Sequence, residues 1–235
     1  MKRISMKAQD SMTVVHPIPL SKSNAFLLLG EKPILIDSGS PGDLPSLKRK
    51  LQKAGISLAE IELLILTHAH FDHAGNAAAI RQLSGCKVVA QEVEKPFLEN
   101  GKNAVIAPYN LMARLLNPFM NIPFAATQVD ILIKDTLDLK PYGAGAKVFL
   151  TPGHTPGSLS VITTEGEAIV GDLIGGGYLL GLLFPKKPRY HYWIANMDDV
   201  QVSLKNLFTR EITTIYVGHG GPLNGTQAHK FFLPS

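Results

Sequence analysis

Thr67-His68-Ala69-His70-Phe71-Asp72-His73 sets three imidazoles and one carboxylate within six residues, directly after an apolar run. A hydrophobic core has no use for that density of polar groups. Neutral imidazole nitrogen and carboxylate oxygen together suit zinc, iron or manganese better than calcium or magnesium, so the run reads as a metal site. Further polar residues share its setting: His154 in Thr151-Pro152-Gly153-His154-Thr155-Pro156-Gly157-Ser158, Asp172 after Gly171, and His219 in Gly218-His219-Gly220-Gly221-Pro222. Each falls in a glycine-containing break after an apolar strand, where the backbone can turn sharply and point a side chain inward. Loops carried on a rigid sheet are where functional residues concentrate.

The elements that must position these residues can be read from the hydrophobic pattern. Met12 to Ile18, Asn24 to Leu29 and Pro33 to Ile36 read as strands, and Asp37-Ser38-Gly39-Ser40-Pro41-Gly42 breaks the sheet. Leu44, Leu47, Leu51 and Ala54 recur at helical spacing, with Asp43 as the expected cap and Gly55 as the stop. Ser57 to Glu60 has capping-box form, and Ile61 to Leu66 reads as a strand buried on both faces. A helix is expected over Ala74 to Leu83, closed near Gly85, and then a strand around Val88. In the second half, strands are expected at Val129 to Lys134, Lys147 to Thr151, Leu159 to Thr163, Ala168 to Val170 and Ile212 to Val217, with a helix over Asp198 to Phe208. Two sheets covered by helices would satisfy this order.

Composition narrows the function. A length of 235 residues suits one substantial core, and no linker, repeat or low-complexity tract divides it, so a single domain over 1–235 is expected. With 45% hydrophobic and 18% charged residues, the chain is not of disordered type. The net charge of +4 is modest, and Lys48-Arg49-Lys50 and Lys186-Lys187-Pro188-Arg189 lack an aromatic series beside them, so they read as solvated faces and not as a nucleic-acid surface. Two bound divalent ions would make the field around their ligands more positive and favour anionic substrates. Cys86 is the sole cysteine, read as a small buried thiol; no intrachain disulfide is possible. Met1-Lys2-Arg3 is followed by no apolar h-region, and no apolar run is long enough to span a bilayer. A soluble cytoplasmic protein without a transmembrane segment is the expectation.

In these motifs the chain resembles the metallo-β-lactamase superfamily of metal-dependent hydrolases, from Val14 to Pro222. The resemblance is carried by His-X-His-X-Asp-His, Thr-Pro-Gly-His-Thr-Pro-Gly-Ser, Gly-Asp and Gly-His-Gly in that order, with Ile34-Leu35-Ile36-Asp37-Ser38-Gly39 upstream. It implies an α/β (α+β) four-layer αββα sandwich with a binuclear site along one edge of the sheets. Carried over by position, it implies one ion on His68, His70 and His154, a second on Asp72, His73 and His219, and Asp172 between them. Asp37 would accept a proton-bearing ring nitrogen of a ligand histidine and fix its tautomer. Zinc would be the metal, with iron or manganese as alternatives.

Departures from particular branches shape the activity that the resemblance implies. Class B1 β-lactamases place a cysteine on the second metal, where this chain offers His73 and Asp172 in the relevant motifs, which argues against β-lactamase activity. Flavodiiron proteins carry Glu at the position of Ala69 and add a flavin domain, and the nuclease branches bring added domains or exosites. The ligand set is most similar to that of glyoxalase II-type thioesterases and lactonases, although little chain follows His219 to form the former's glutathione-binding domain. The implied reaction is hydrolysis of an ester-like carbonyl, thioester or lactone, by a hydroxide shared between the ions, with Asp72 orienting it and moving its proton. The alternatives are a mononuclear iron oxygenase of persulfide dioxygenase type and a regulatory module without turnover.

Other residues are open to blander readings. His16 and His229 match no motif and read as structural or surface residues. Tyr178, His191 and Tyr192 would touch the substrate if the long connection after Asp172 reaches the site. Residues 92–128, rich in Leu, Met, Phe and Tyr, read as a helical lid or insertion that would pack on the sandwich, close a channel for an acyl or otherwise hydrophobic small molecule, build a homodimer surface or touch a membrane.

Overall fold

The computed structural model describes residues 12–234; Met1-Lys2-Arg3 lies outside the described residues. The first sheet contains β1 (Val14–Pro19), β2 (Asn24–Leu29), β3 (Pro33–Ile36), β4 (Leu63–Ile65), β5 (Lys87–Gln91) and β6 (Ile131–Ile133), side by side in chain order. The first three are antiparallel, and β3 through β6 are parallel. The next strands are β7 (Thr136–Asp138), β8 (Ala146–Leu150), β9 (Leu159–Thr163) and β10 (Glu167–Ile169), followed by a separate hairpin of β11 (Gly175–Tyr178) and β12 (Leu183–Arg189). With β13 (Thr214–Tyr216) and β14 (Leu223–Asn224), the second sheet has the order β14-β13-β10-β9-β8-β7.

Alternating side chains sort these strands into layers. Ile34, Ile36, Leu63, Ile65 and Val89 enter a core between the sheets with Val148, Val161 and Ile169. Leu35, Leu64 and Val88 take the other face, against α1 (Leu44–Lys53) and the helix that follows the histidine-rich run. Beyond the second sheet, Ile162, Ala168 and Ile215 pack with Val200, Leu204 and Leu207 of the helix before β13 and with Phe232 near the C-terminus. The result is the expected αββα sandwich. Its inner strands are buried on both faces, which is why they read as unbroken apolar runs.

Local chemistry explains where the helices depart from expectation. Asp43 does precede α1, but its carboxylate accepts from Ser21 and Ser40 and makes no cap bond to the helix. The single helix expected over Ala74 to Leu83 is two, α2 (Phe71–Ala74) and α3 (Ala77–Ser84), closed by Gly85 at φ 74°. Asn76 causes the break, because its side-chain amide donates to the carbonyls of Ser38 and Ser40 and holds the chain at the sheet edge. The insertion carries two short helices, α4 (Lys95–Asn100) and α5 (Leu111–Leu116). The helix expected over Asp198 to Phe208 is α6 (Met197–Leu207), capped by Asn196, and a final helix not expected from the sequence is α7 (Gly225–Phe232). Among the described residues, no helix is long and apolar enough to cross a membrane.

Candidate metal centre

The topology brings the polar loops to one edge. β3, β4 and β5 are parallel, β10 is parallel to β13, and β8 and β10 both run antiparallel to β9. Asp37 follows β3, the run from His68 to His73 follows β4, His154 follows β8, Asp172 follows β10, and His219 follows β13. All seven residues of the expected ligand set are buried. They fall into overlapping groups whose donor atoms lie within 4.8 Å of one another: His68, His70 and His154; His68, His73 and Asp172; Asp72, His73 and His219.

Asp37 organises the first loop. It sits at φ 60°, a left-handed conformation that costs a non-glycine residue roughly 1–3 kcal/mol and is kept only where surroundings enforce it. Its carboxylate accepts from the Thr67 amide at 2.8 Å, from the Thr67 hydroxyl at 2.8 Å and from His73 Nδ1 at 2.7 Å. Because the Thr67 hydroxyl donates to Asp37, its oxygen is free to accept from His68 Nδ1 at 3.0 Å. One carboxylate thereby places a proton on the outer nitrogen of two imidazoles and turns both Nε2 atoms inward. Neither Nε2 has a hydrogen-bond partner.

The other rings are oriented by main-chain carbonyls. His154 Nδ1 donates to Trp193 O at 2.8 Å, His219 Nδ1 to Lys22 O at 2.9 Å, and His70 Nε2 to Ala104 O at 3.1 Å. With those protons committed outward, His70 Nδ1 and His154 Nε2 present lone pairs to each other across only 3.1 Å. Two facing lone pairs repel, and a shared cation reverses the sign of the interaction. This donor set fits a metal ion.

Electrostatics divide the cluster. Burial holds the pKa values of His68 and His154 well below the ordinary imidazole value, and that of His70 at about 4, so these rings are neutral at pH 7. Burial also opposes charge on His73 and His219, but neighbouring carboxylates, Asp172 foremost, outweigh it; His73 is raised well above the ordinary value and His219 to about 10. For the carboxylates, the positive rings win over burial and hold Asp72 and Asp172 well below the usual range. The metal-free centre therefore pairs a neutral triad with a charged half that stores protons.

The loops that carry these residues are tied together by Glu94, which sequence reasoning did not single out. It is 1% exposed, and its carboxylate accepts from the Ala69 amide at 2.8 Å and the Gly157 amide at 3.1 Å. Burial raises its pKa. Gly218, just before His219, has no substitute: a Cβ there would stand 2.1 Å from Asp172 Oδ1 and 2.6 Å from His73 Cε1. No local sequence signal marks Glu94, whose partners lie 25 and 63 residues away.

The three residues expected to touch a substrate part company. His191 is 3% exposed and reaches the cluster, its Nε2 lying 3.3 Å from Asp172 Oδ2. Tyr192 lines a narrow crevice beside His191 and His219, and its hydroxyl accepts from the Leu179 amide. Tyr178 stands out on the hairpin with its ring 3.9 Å from the guanidinium of Arg189. The long connection expected there is the β11–β12 ribbon. A cleft of about 690 Å³ opens between His70, Phe71 and Asp72 and the insertion residues Phe97, Ile106 and Met120. His16 lies on β1 and His229 on α7 against Phe208, both away from the cluster. Cys86 is buried, as expected.

Comparison with known proteins agrees with this geometry. Residues 18–219 match the family model described as the metallo-beta-lactamase superfamily. A probable metallo-hydrolase of Methanocaldococcus jannaschii is 32% identical over 206 residues, covering 84% of this chain and 87% of the relative. A probable metallo-hydrolase of Bacillus subtilis is 28% identical over 208 residues, covering 87% and 88%. Among solved structures, the B3 metallo-beta-lactamase BLEG-1 superposes with a TM-score of 0.67 at 24% identity, covering 94% of this chain and 100% of that one. BJP-1, a subclass B3 metallo-beta-lactamase of Bradyrhizobium japonicum, gives 0.61 at 23% identity, covering 90% and 76%. At these identities the solved structures speak for the fold.

Proposed function

The chain belongs to the metallo-beta-lactamase superfamily and is a metal-dependent hydrolase; on that premise we propose that it is a binuclear enzyme cleaving an ester-like carbonyl, with a thioester or lactone as substrate class. The observation that carries the reading is the position of Asp172. Its Oδ2 lies 3.9 and 3.7 Å from Nε2 of His68 and His154, and 3.4 and 3.3 Å from Nε2 of His73 and His219. One oxygen thus faces both halves of the cluster, as a carboxylate shared by two ions would. In this reading His68, His70 and His154 hold one ion, Asp72, His73 and His219 the other, and Asp172 both; zinc is the metal that imidazole and carboxylate donors suit, with iron or manganese as alternatives.

Bound there, divalent ions would bring a water's pKa toward neutrality and polarise the substrate carbonyl. The protein's own residues do the rest. Asp72 would orient the attacking water and pass its proton to the leaving group. A thiolate or a ring-opened alkoxide needs less help in leaving than an amide nitrogen, which is why the ester-like class is preferred for a site with a single proton carrier. Asp37 and Thr67 hold a proton on Nδ1 of His68 and His73, so that Nε2 is the atom each ring would offer to an ion. The apolar wall of Phe97, Ile106 and Met120 suits an acyl chain.

The test is a panel of acyl thioesters, lactones and phosphodiesters on metal-loaded protein. Hydrolysis of a thioester or lactone is expected to exceed phosphodiester cleavage, and Asp172→Ala to abolish turnover and lower metal occupancy. Unchanged activity in that variant would sink the assignment.

A further inference from the structure

One more imidazole converges on Asp172 than the seven-residue ligand set contains. His191 is carried there by the hairpin: Gly175 pairs with Arg189 across β11 and β12, so the chain returns to the sheet edge two residues before His191. The segment after it is a strut. Ile194 N–H donates to Ala107 O at 3.1 Å, and Ala195 N–H to Gly153 O at 2.9 Å, which fixes Trp193 between the insertion and the loop of His154.

The carbonyl of Trp193 then orients two rings at once. It accepts from His154 Nδ1 at 2.8 Å and lies 3.2 Å from His191 Nδ1, to which the Trp193 amide donates at 3.4 Å, so the His191 ring is held with Nδ1 turned to Trp193. Both Nε2 atoms consequently face Asp172. The His191 ring stands edge-on to His154, with centroids 4.7 Å apart, and stacks at 27° on His219.

His191 Nε2 is buried and finds no hydrogen-bond partner. A buried polar atom left in that state costs roughly 1–3 kcal/mol, and packing alone does not explain why the ring points it inward. Two donors at about 2.1 Å from one ion stand about 3.0 Å apart at adjacent octahedral positions and about 3.4 Å apart at tetrahedral ones. His191 Nε2 is 3.3 Å from Asp172 Oδ2, the same separation as His219 Nε2 and closer than His68 or His154. Its donor atom also groups with those of His154 and Asp172 within 4.8 Å.

We propose that His191 is an eighth member of the metal-binding set, a ligand of the ion held by His154 and Asp172. The proposal rests on the binuclear reading for the identity of the remaining ligands. It places a protein donor on the face of that ion where a substrate contact was expected from sequence.

The experiment uses the full chain, stripped by chelation and reloaded with cobalt(II), in wild type, His191→Ala and His191→Asn. Its readouts are the visible spectrum of the cobalt, the number of imidazole scatterers by X-ray absorption, and affinity by competition with a chromophoric chelator. The expected result is a changed cobalt spectrum, a lower imidazole count and an affinity for one ion reduced about tenfold or more, while the metal-free proteins share one far-ultraviolet dichroism spectrum. Cobalt spectra, scatterer counts and affinities that superpose for all three proteins would overturn the proposal. A wild type that binds a single ion would instead count against the binuclear reading, and the response of that ion to His191→Ala would still decide the role of His191.

Discussion

Each residue of the cluster works through a partner behind it, and that is where its properties are testable. Burial keeps His70 neutral down to about pH 4, whereas His219 holds its proton up to about pH 10 in the metal-free protein. An ion entering the triad of His68, His70 and His154 displaces no proton at pH 7.5; one entering between Asp72, His73 and His219 must displace protons from both imidazoles. Affinity of the second set therefore rises with pH through the neutral range, while that of the triad is flat there. Calorimetric zinc titrations in buffers of different ionisation enthalpy are expected to show one proton-neutral and one proton-releasing event; two events with equal release would contradict this division. Asp37→Asn replaces one acceptor oxygen by a donor facing His73 Nδ1–H or Thr67, and is expected to lower metal affinity about 10–100-fold with the fold retained. The residues that cluster at the sheet edge were legible because they occur in short runs after apolar strands. His191 was legible only as a residue of the connection, since its neighbours in the cluster, His154, Asp172 and His219, are brought to it by folding.

At the scale of elements, the strands around the site announced themselves by continuous apolar runs, and β9 has the bounds expected for it. The β11–β12 ribbon did not, because β12 contains Pro185 and Pro188 and most of its residues are exposed, the opposite of an inner strand. Nor did the break between α2 and α3, where an alanine-rich stretch reads as one helix until Asn76 meets Ser38 and Ser40. Glu94 is the staple between two of the functional loops. Removing it in Glu94→Ala leaves the Ala69 and Gly157 amides buried without acceptors, at about 2–4 kcal/mol of stability; denaturant unfolding of the metal-free protein measures the loss, and a change within about 0.5 kcal/mol, the range of neutral surface substitutions, would refute the staple. Gly218→Ala tests a different link: its Cβ would collide with Asp172 and His73 together, so loss of metal binding is expected even where the chain still folds.

For the whole molecule, two sheets each contribute one set of functional loops to a common edge, with the core between them supplying the rigidity that holds donor atoms in place. Ions that bind only the folded chain add stability as the logarithm of their free concentration relative to the dissociation constant, so chelation is expected to lower the unfolding temperature and zinc to restore it. The fold class was readable from the order of strands, helices and breaks, but the order of strands within each sheet was not, because register and neighbour choice depend on contacts between distant segments. In the proposed enzyme both halves of the cluster bind metal and act together on a carbonyl. Metal content by elemental analysis, taken on the same preparation as the substrate panel, addresses this most directly. Two zinc or manganese ions per chain, with thioester or lactone hydrolysis lost on chelation, is the predicted result; one iron per chain, with oxygen consumed in the presence of a persulfide and no ester hydrolysis, would contradict it.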